Sequence, residues 1–390
     1  MNNRIVRITP VPASFRYLLA GQLEYMQQFY SMIAISSHDY NYDLKHIKKD
    51  EVSTITVEMS RKITPIKDLV SIYKMVVLMT KISPAVVHTH TPKAGFIGCV
   101  ASKIVGVKSI IHTVAGMPLM EAEGMTKILL LTIEKIIYKS AHRIYPNSFG
   151  LMEYILKMNL CKKDKIKVIL NGSSNGIDTE HFKPSELINQ RAISIRAKEK
   201  IPDSALVVCF IGRIVADKGV NELVEAFIKI RANDENVHLF LIGPHEDDLD
   251  PVSDRTKTII INDDRIHYFG LQQDVRPYLL ASNILAFPSY REGFPNVPMQ
   301  AGAMGLPSIV TNINGCNEII EHNTNGILVE PKDAVALEEA LTDLLHDAVK
   351  RNRMACASRN MIVSRFSQIR IWESLLKEYE NFGTFRSENV

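Results

Sequence analysis

Arg213 and Lys218 stand in the stretch GRIVADKG, after an apolar run that ends at Gly212 and before the helical period GVNELVEAFIKI. Two cations and the positive end of a helix, gathered behind a strand, suit a diphosphate. The stretch lacks the GxxxxGK[ST] pattern, and no GxGxxG follows a strand, so the usual phosphate cradles for ATP hydrolysis and nicotinamide binding are missing. A second constellation lies in PSYREGFPNVPMQAGAMGLP, residues 288–307. There Glu292 precedes a turn and a short helix that opens near Pro295 and closes at Gly305. Its carboxylate can accept hydrogen bonds from the hydroxyls of a polyol, or cap the helix. Asn296 and Gln300, four apart, share a face of that helix, and Gly302 inside it points to close packing. The turn NINGCNEII adds free N–H groups near Gly315. In the first half His90, Lys93 and His112 fall in HTHTPKAG and HTVAGMPLM, at the ends of apolar runs. No HExxH or similar spacing calls for a metal, and HEDDLD (245–250) reads as a solvated loop.

The elements that must hold these residues alternate between β-rich runs and helical periods. RIVRIT, MIAISS, STITVEM, AVVHTH, SIIHTV and HRIYPNS fill the first half; ALVVCFIGR, VHLFLIG, IHYFG, ILAFPS, PSIVTN and GILVEP fill the second. Helical periods at 66–81 and 94–105 separate the early runs. This alternation predicts an α/β fold of two doubly wound parallel sheets in tandem, as does a length of 390 residues. Ligands of such sheets bind beyond the carboxyl ends of the strands, where every residue named above lies. Turn residues in NGIDTEHFKP set a boundary, giving domains of 1–183 and 184–364. A closing helix over 365–382 places Ile369, Trp372, Leu375, Leu376 and Tyr379 on one side.

The five cysteines are scattered without CxxC pairing, which argues against a disulfide framework or zinc site and fits a reducing cytoplasm. No secretory leader is visible, and ILLLTI (128–133) is too short to span a bilayer. The net charge of +3 is unevenly spread. Residues 1–183 carry 24 Lys and Arg against 14 Asp and Glu, whereas residues 184–390 carry 22 against 29. A basic first half points to an anionic partner: a membrane surface, a phosphate-bearing substrate or nucleic acid. Nucleic acid is disfavoured because the cations are not interleaved with aromatics.

The ordered series FIGRIVADKGVNELVEAF, IHYFGLQQDVRPYLLASNILAFPSYREGFPNVPMQAGAMGLPSIVTNINGCNEII and NGILVEPKDAVALEEAL resembles the retaining glycosyltransferases of family 4. HTHTPKAGFIGCVASKIVGVKSIIHTVAGMPLM extends the likeness, toward bacterial enzymes that add N-acetylhexosamines to polyprenyl-diphosphate-linked sugars in surface-polysaccharide assembly. The resemblance implies the GT-B architecture, two Rossmann-like domains facing a cleft, with the segment 365–390 returning to the first domain. It implies transfer from a nucleoside diphosphate sugar, a uridine diphosphate hexosamine, without metal or other cofactor, to a glycan or lipid-linked acceptor. Arg213 and Lys218 match the pair that neutralises the diphosphate, with Gly212 beside them. Glu292 matches the first carboxylate of the E-x7-E motif, which holds the donor sugar, and Phe294, Pro295, Asn296 and Val297 match backbone donors near the phosphate. His112 matches a histidine that approaches the transferred sugar, and His90 and Lys93 fall on the acceptor side. The second E-x7-E carboxylate, which holds the ribose, is here the amide Gln300. A nucleotide-sugar epimerase, or a binding protein without catalysis, shares the architecture. The resemblance also implies a cytoplasmic protein, peripheral on the inner face of the membrane, with Lys127, Lys135, Lys139 and Arg143 supplying the contact.

Overall fold

The structure, a computed structural model, describes residues 3–39, 52–60, 64–246 and 250–382. The chain divides into two compact units, Met1–Asn175 with Gln368–Val390, and Gly176–Ser367. The passage between them falls at Asn175, ahead of Pro184.

Unit 1 contains β1 (Arg4–Ile8), β2 (Ser31–Ser36), β3 (Ser53–Thr56), β4 (Val86–His90), β5 (Ser109–Val114) and β6 (Arg143–Pro146). Its helices are α1 (Gln22–Gln27), α2 (Pro65–Ile82), α3 (Pro92–Val105), α4 (Gly124–Ser140) and α5 (Phe149–Lys157). All strands pair in parallel, in the order β3-β2-β1-β4-β5-β6. Parallel strands covered on both faces read as continuous apolar runs, which is why the inner strands were legible. Helix α3 rides close on the sheet because its inner face is small. A Cβ on Gly98 would meet Thr89 and Ile8, and one on Gly95 would fall 2.5 Å from the His112 ring.

Unit 2 contains β7 (Leu206–Ile211), β8 (Val237–Ile242), β9 (Ile266–Gly270), β10 (Ile284–Phe287), β11 (Ser308–Thr311) and β12 (Gly326–Val329). Around them lie α6 (Glu186–Lys198), α7 (Val220–Asn233), α8 (Asp254–Asn262), α9 (Arg276–Leu280), α10 (Asn296–Ala303), α11 (Cys316–Ile319), α12 (Ala334–His346) and α13 (Ala348–Phe366). The order β12-β11-β10-β7-β8-β9 repeats that of unit 1, with β7 in the place of β1 and β10 in the place of β4. Each sheet therefore reverses its winding once, between β1 and β4 and between β7 and β10. Gly302 of α10 does mark close packing: a Cβ there would meet Ile362 of α13 at 2.6 Å.

The expected closing helix is two helices. α13 ends at Phe366, Ser367 leaves helical geometry with ψ 129°, and α14 (Gln368–Asn381) follows. The buried face of α14 is Ile371, Trp372, Leu375, Leu376 and Tyr379, while Ile369 is exposed, correcting the expected set at one position. α14 belongs to unit 1. Trp372 Nε1 donates to Asn175 Oδ1 at 2.7 Å, and Tyr145 Oη donates to Glu378 at 2.6 Å. Each large apolar side chain buried on this face contributes about 1.5–3 kcal/mol.

Candidate active site

In unit 2 three strand-end loops are locked together by glycines. After β7 the chain runs through Gly212 and Arg213 to a short turn, Ala216–Lys218, and Gly219 at φ +70°, where α7 starts. Gly219 lies so close to the loop after β10 that a Cβ would come 2.1 Å from the Pro288 carbonyl. Gly315, at φ +77° after β11, abuts the Gly293 carbonyl in the same way. Asn314 Nδ2 donates to Gly293 O at 2.7 Å and Glu292 O at 3.2 Å, and Thr311 Oγ1 donates to Ser289 O. These contacts fix the loop 288–295 from both sides.

Lys218 Nζ lies 2.6 Å from Glu292 Oε1 and donates to Ser289 Oγ at 3.4 Å. The lysine and carboxylate side chains are 15% and 16% exposed, so the pair is largely withdrawn from water. Arg213 is more open, and Nη1 donates to Glu246 Oε2 at 2.7 Å. The structure thus brings Arg213, Lys218 and Glu292 together beyond β7 and β10, at the point where strand order reverses. Pro295 forms the N-cap of α10 without a side-chain cap bond, leaving the N–H groups of Asn296 and Val297 in the first turn. Phe294 is buried, its ring centroid 5.5 Å from that of Phe366. Gln300 follows one turn after Asn296, half-buried, with no side-chain hydrogen bond among the described residues. Cys316 is buried beneath this site, and burial pushes its thiol pKa well up.

Glu246 was missed in sequence, where HEDDLD reads only as solvated; Asp247 and Asp248 lie outside the described residues. The signal that finds it is strand order, because β8 lies beside β7 and Ile214 bridges His245. Asp217 is a second such residue, taking Arg291 Nη2 at 3.0 Å and so tying the two loops together. Among the described residues no group of His, Cys, Asp and Glu is arranged to hold a metal ion.

The three first-half candidates have other surroundings. His112 lies inside β5, 1% exposed, with Nδ1 2.8 Å from Thr89 Oγ1 and its ring under Gly95. Burial holds its pKa down at about 3. His90 is equally buried, with Nε2 2.8 Å from Arg7 Nη2. Arg7 is fully buried too and donates to Tyr379 Oη at 2.9 Å and Gln22 Oε1 at 2.6 Å. Lys93 Nζ is held by both Asp68 oxygens, at 2.7 and 2.8 Å. The imidazoles of His90 and His112 are interior groups of unit 1, and the Lys93 side chain is itself only 12% exposed.

Comparison with known proteins places the chain in a family. A profile described as "Glycosyl transferases group 1" matches residues 192–361, and one described as "Glycosyl transferase 4-like" matches residues 7–148. A capsular polysaccharide biosynthesis glycosyltransferase, CapM of Staphylococcus aureus, is 31% identical over 98% of both chains. The chain belongs to the family 4-like glycosyltransferases. An Escherichia coli relative, named UDP-Gal:alpha-D-GlcNAc-diphosphoundecaprenol alpha-1,3-galactosyltransferase, is 29% identical over 80% of this chain and 79% of its own. A Campylobacter jejuni relative, named N,N'-diacetylbacillosaminyl-diphospho-undecaprenol alpha-1,3-N-acetylgalactosaminyltransferase, is 23% identical over 83% and 84%. The fold is that of the Anabaena protein HepE, solved with UDP, at TM-score 0.79 and 17% identity over 98% of this chain and 100% of that one. A Rickettsia africae glycosyltransferase superposes at TM-score 0.79 with 21% identity, over 98% of each chain. The protein is a GT-B glycosyltransferase, and its two like-ordered sheets are the two Rossmann-like domains.

Proposed function

We propose that this glycosyltransferase moves an N-acetylhexosamine from a uridine diphosphate sugar, with retention of configuration, to a polyprenyl-diphosphate-linked sugar during surface-polysaccharide synthesis. The observation that carries the donor half is the convergence of Arg213 and Lys218 with Glu292 at the switch point of unit 2. Two fixed cations there stabilise the charge that develops on a departing diphosphate, which is the main catalytic contribution such a site can make. The cations are held in place by carboxylates, Glu246 and Glu292, so little reorganisation is needed when the donor binds. Glu292, held by Lys218, is placed to accept from sugar hydroxyls rather than to act as an unpaired base. This supports retention, in which the leaving diphosphate itself takes the acceptor proton. The relatives' names support the acceptor class: two of them act on undecaprenyl-diphosphate-linked sugars.

Metal independence belongs to the same proposal, because Arg213 and Lys218 supply the charge a divalent ion would bring. The test is release of uridine diphosphate from a panel of donor sugars, with lipid-linked acceptor added or withheld. Acceptor-dependent release from a hexosamine donor, unchanged by a chelator, is expected. Release without acceptor, or a strict magnesium requirement, overturns the reading.

A further inference from the structure

Beyond the carboxyl ends of β1 and β4, at the switch point of unit 1, lies a cavity of about 970 Å³. Pro10 and Val11 follow β1 into it, and Thr91 and Lys93 follow β4. Its floor includes Phe96 of α3, and its walls are α2 and α4. The lining is almost entirely apolar, and the volume is at the upper end of the roughly 300–1,000 Å³ that small-molecule sites span.

Both walls continue outward as unpartnered apolar stripes. On α2 Ile66, Leu69, Val70, Tyr73 and Val77 recur at helical spacing on an exposed face. On α4 Met125, Ile128, Leu129 and Ile136 do the same. Exposed apolar area this contiguous marks an interaction surface. The exposed charge on the two helices themselves is positive, although Glu121 and Glu123 stand exposed just before α4. Lys67, Lys74, Lys81, Lys127, Lys135 and Lys139 are all exposed, whereas the carboxylates of these helices, Asp68 and Glu134, are buried. No exposed carboxylate stands on either helix. At the inner end of the groove the Thr91 hydroxyl has no hydrogen-bond partner among the described residues, beside the Lys93–Asp68 ion pair.

An apolar slot with a hydrogen-bonding end, walled by two lysine-bearing helices, is complementary to a hydrocarbon chain that carries an anionic head. We infer that this groove receives the isoprenyl chain of the lipid-linked acceptor, with its phosphates toward the Thr91 hydroxyl. The inference rests on the proposed acceptor class and adds the place that holds the lipid. A flat bilayer cannot fill a recess, so one chain drawn from an anionic leaflet is the occupant, and the stripes and lysines meet the leaflet around it.

The probe is farnesyl diphosphate against inorganic diphosphate, titrated calorimetrically into the full chain. The wild type should bind the farnesyl form at least tenfold more tightly. Leu69→Glu and Leu129→Glu, at exposed wall positions, should each abolish that advantage, while Ile261→Glu, on an exposed face of unit 2, should keep it. Circular dichroism checks that each variant is folded. Equal affinity for the two probes overturns the inference, as does an advantage that survives both wall variants. Wall variants that change only self-association would assign the stripes to a second copy of the chain, and variants that weaken only binding to anionic vesicles would assign them to the bilayer; either result also overturns it. A farnesyl advantage lost in the wall variants, in a protein that transfers no sugar, sinks the proposed reaction and leaves the groove standing.

Discussion

The two sheets share one strand order but have opposite kinds of switch point. In unit 2 the loops after β7 and β10 carry Arg213, Lys218 and Glu292, clamped by glycine contacts against backbone carbonyls. In unit 1 the loops after β1 and β4 carry Pro10, Val11 and Pro92 and open into an apolar groove. Beneath that groove polar groups of β1 and β4 are buried. Arg7, His88 and His90 are buried side by side, with His88 Nδ1 2.7 Å from Tyr379 Oη and its ring stacked on that of His90 at 4.5 Å. Topology therefore decides where a ligand binds, and the residues at the two strand ends decide which chemistry it has.

The contrast is broken most severely through Arg213. Arg213→Ala should lower kcat/KM for sugar transfer by roughly 100- to 1,000-fold, as loss of an oxyanion donor does, with the circular dichroism spectrum unchanged. A variant with wild-type kcat/KM would remove the leaving-group role from unit 2.

Acid should separate the units next. Burial holds His112 down at about 3 and His88 and His90 well below the usual imidazole range. These histidines are neutral in the folded protein, whereas the unfolded chain takes up protons as pH falls below about 6.5. Stability is therefore full above that pH and is lost as pH drops toward 3, by up to about 1.4 kcal/mol per unit for each histidine. Hydrogen exchange followed from pH 7 to 4 should show β4 and β5 losing protection before β7 and β10. The reverse order would contradict the buried-imidazole account.

Glu134 works in the other direction. Burial raises its pKa to about 7, and Oε2 has no hydrogen-bond partner among the described residues. The unfolded carboxyl ionises above about 4.5, so the cost of keeping it protonated grows from that pH up to about 7. Glu134→Gln should therefore stabilise unit 1 at pH 8, by at most roughly 3 kcal/mol, and have no such effect at pH 4. Thermal melts at the two pH values check it.

The smallest effect concerns how the nucleotide is gripped. Gln300, a half-buried amide where the family pattern has a carboxylate, is proposed to offer the ribose neutral hydrogen bonds. Gln300→Ala should raise the donor KM about fivefold, near 1 kcal/mol, and leave kcat alone. An unchanged KM would leave the ribose to other groups.

The inner strands were legible because both faces of each parallel sheet are covered, which writes them as apolar runs, whereas the edge strand β3, STIT, shows only its β-branched residues. Arg213, Lys218 and Glu292 were legible for a local reason: the loops that carry them follow such runs directly. What escaped depended on lateral order or depth. Glu246 reaches Arg213 only because β8 adjoins β7, and the ring of His112 is interior because Gly95 lets α3 settle on it, neither of which spacing reveals. The buried face of α14 was legible at four of its five positions; Ile369 and Ile371 flank the stripe of Trp372, Leu375, Leu376 and Tyr379 on opposite edges, and helical spacing does not choose between them.

Trp372 is the single tryptophan of the chain. Its indole N–H is tied to Asn175, its ring stands 5.0 Å from that of Tyr25, and a Cβ on Gly21 would touch it. All of these partners belong to unit 1. The protein thus carries its own optical label: ultraviolet excitation at the indole edge reports one domain and is blind to the other.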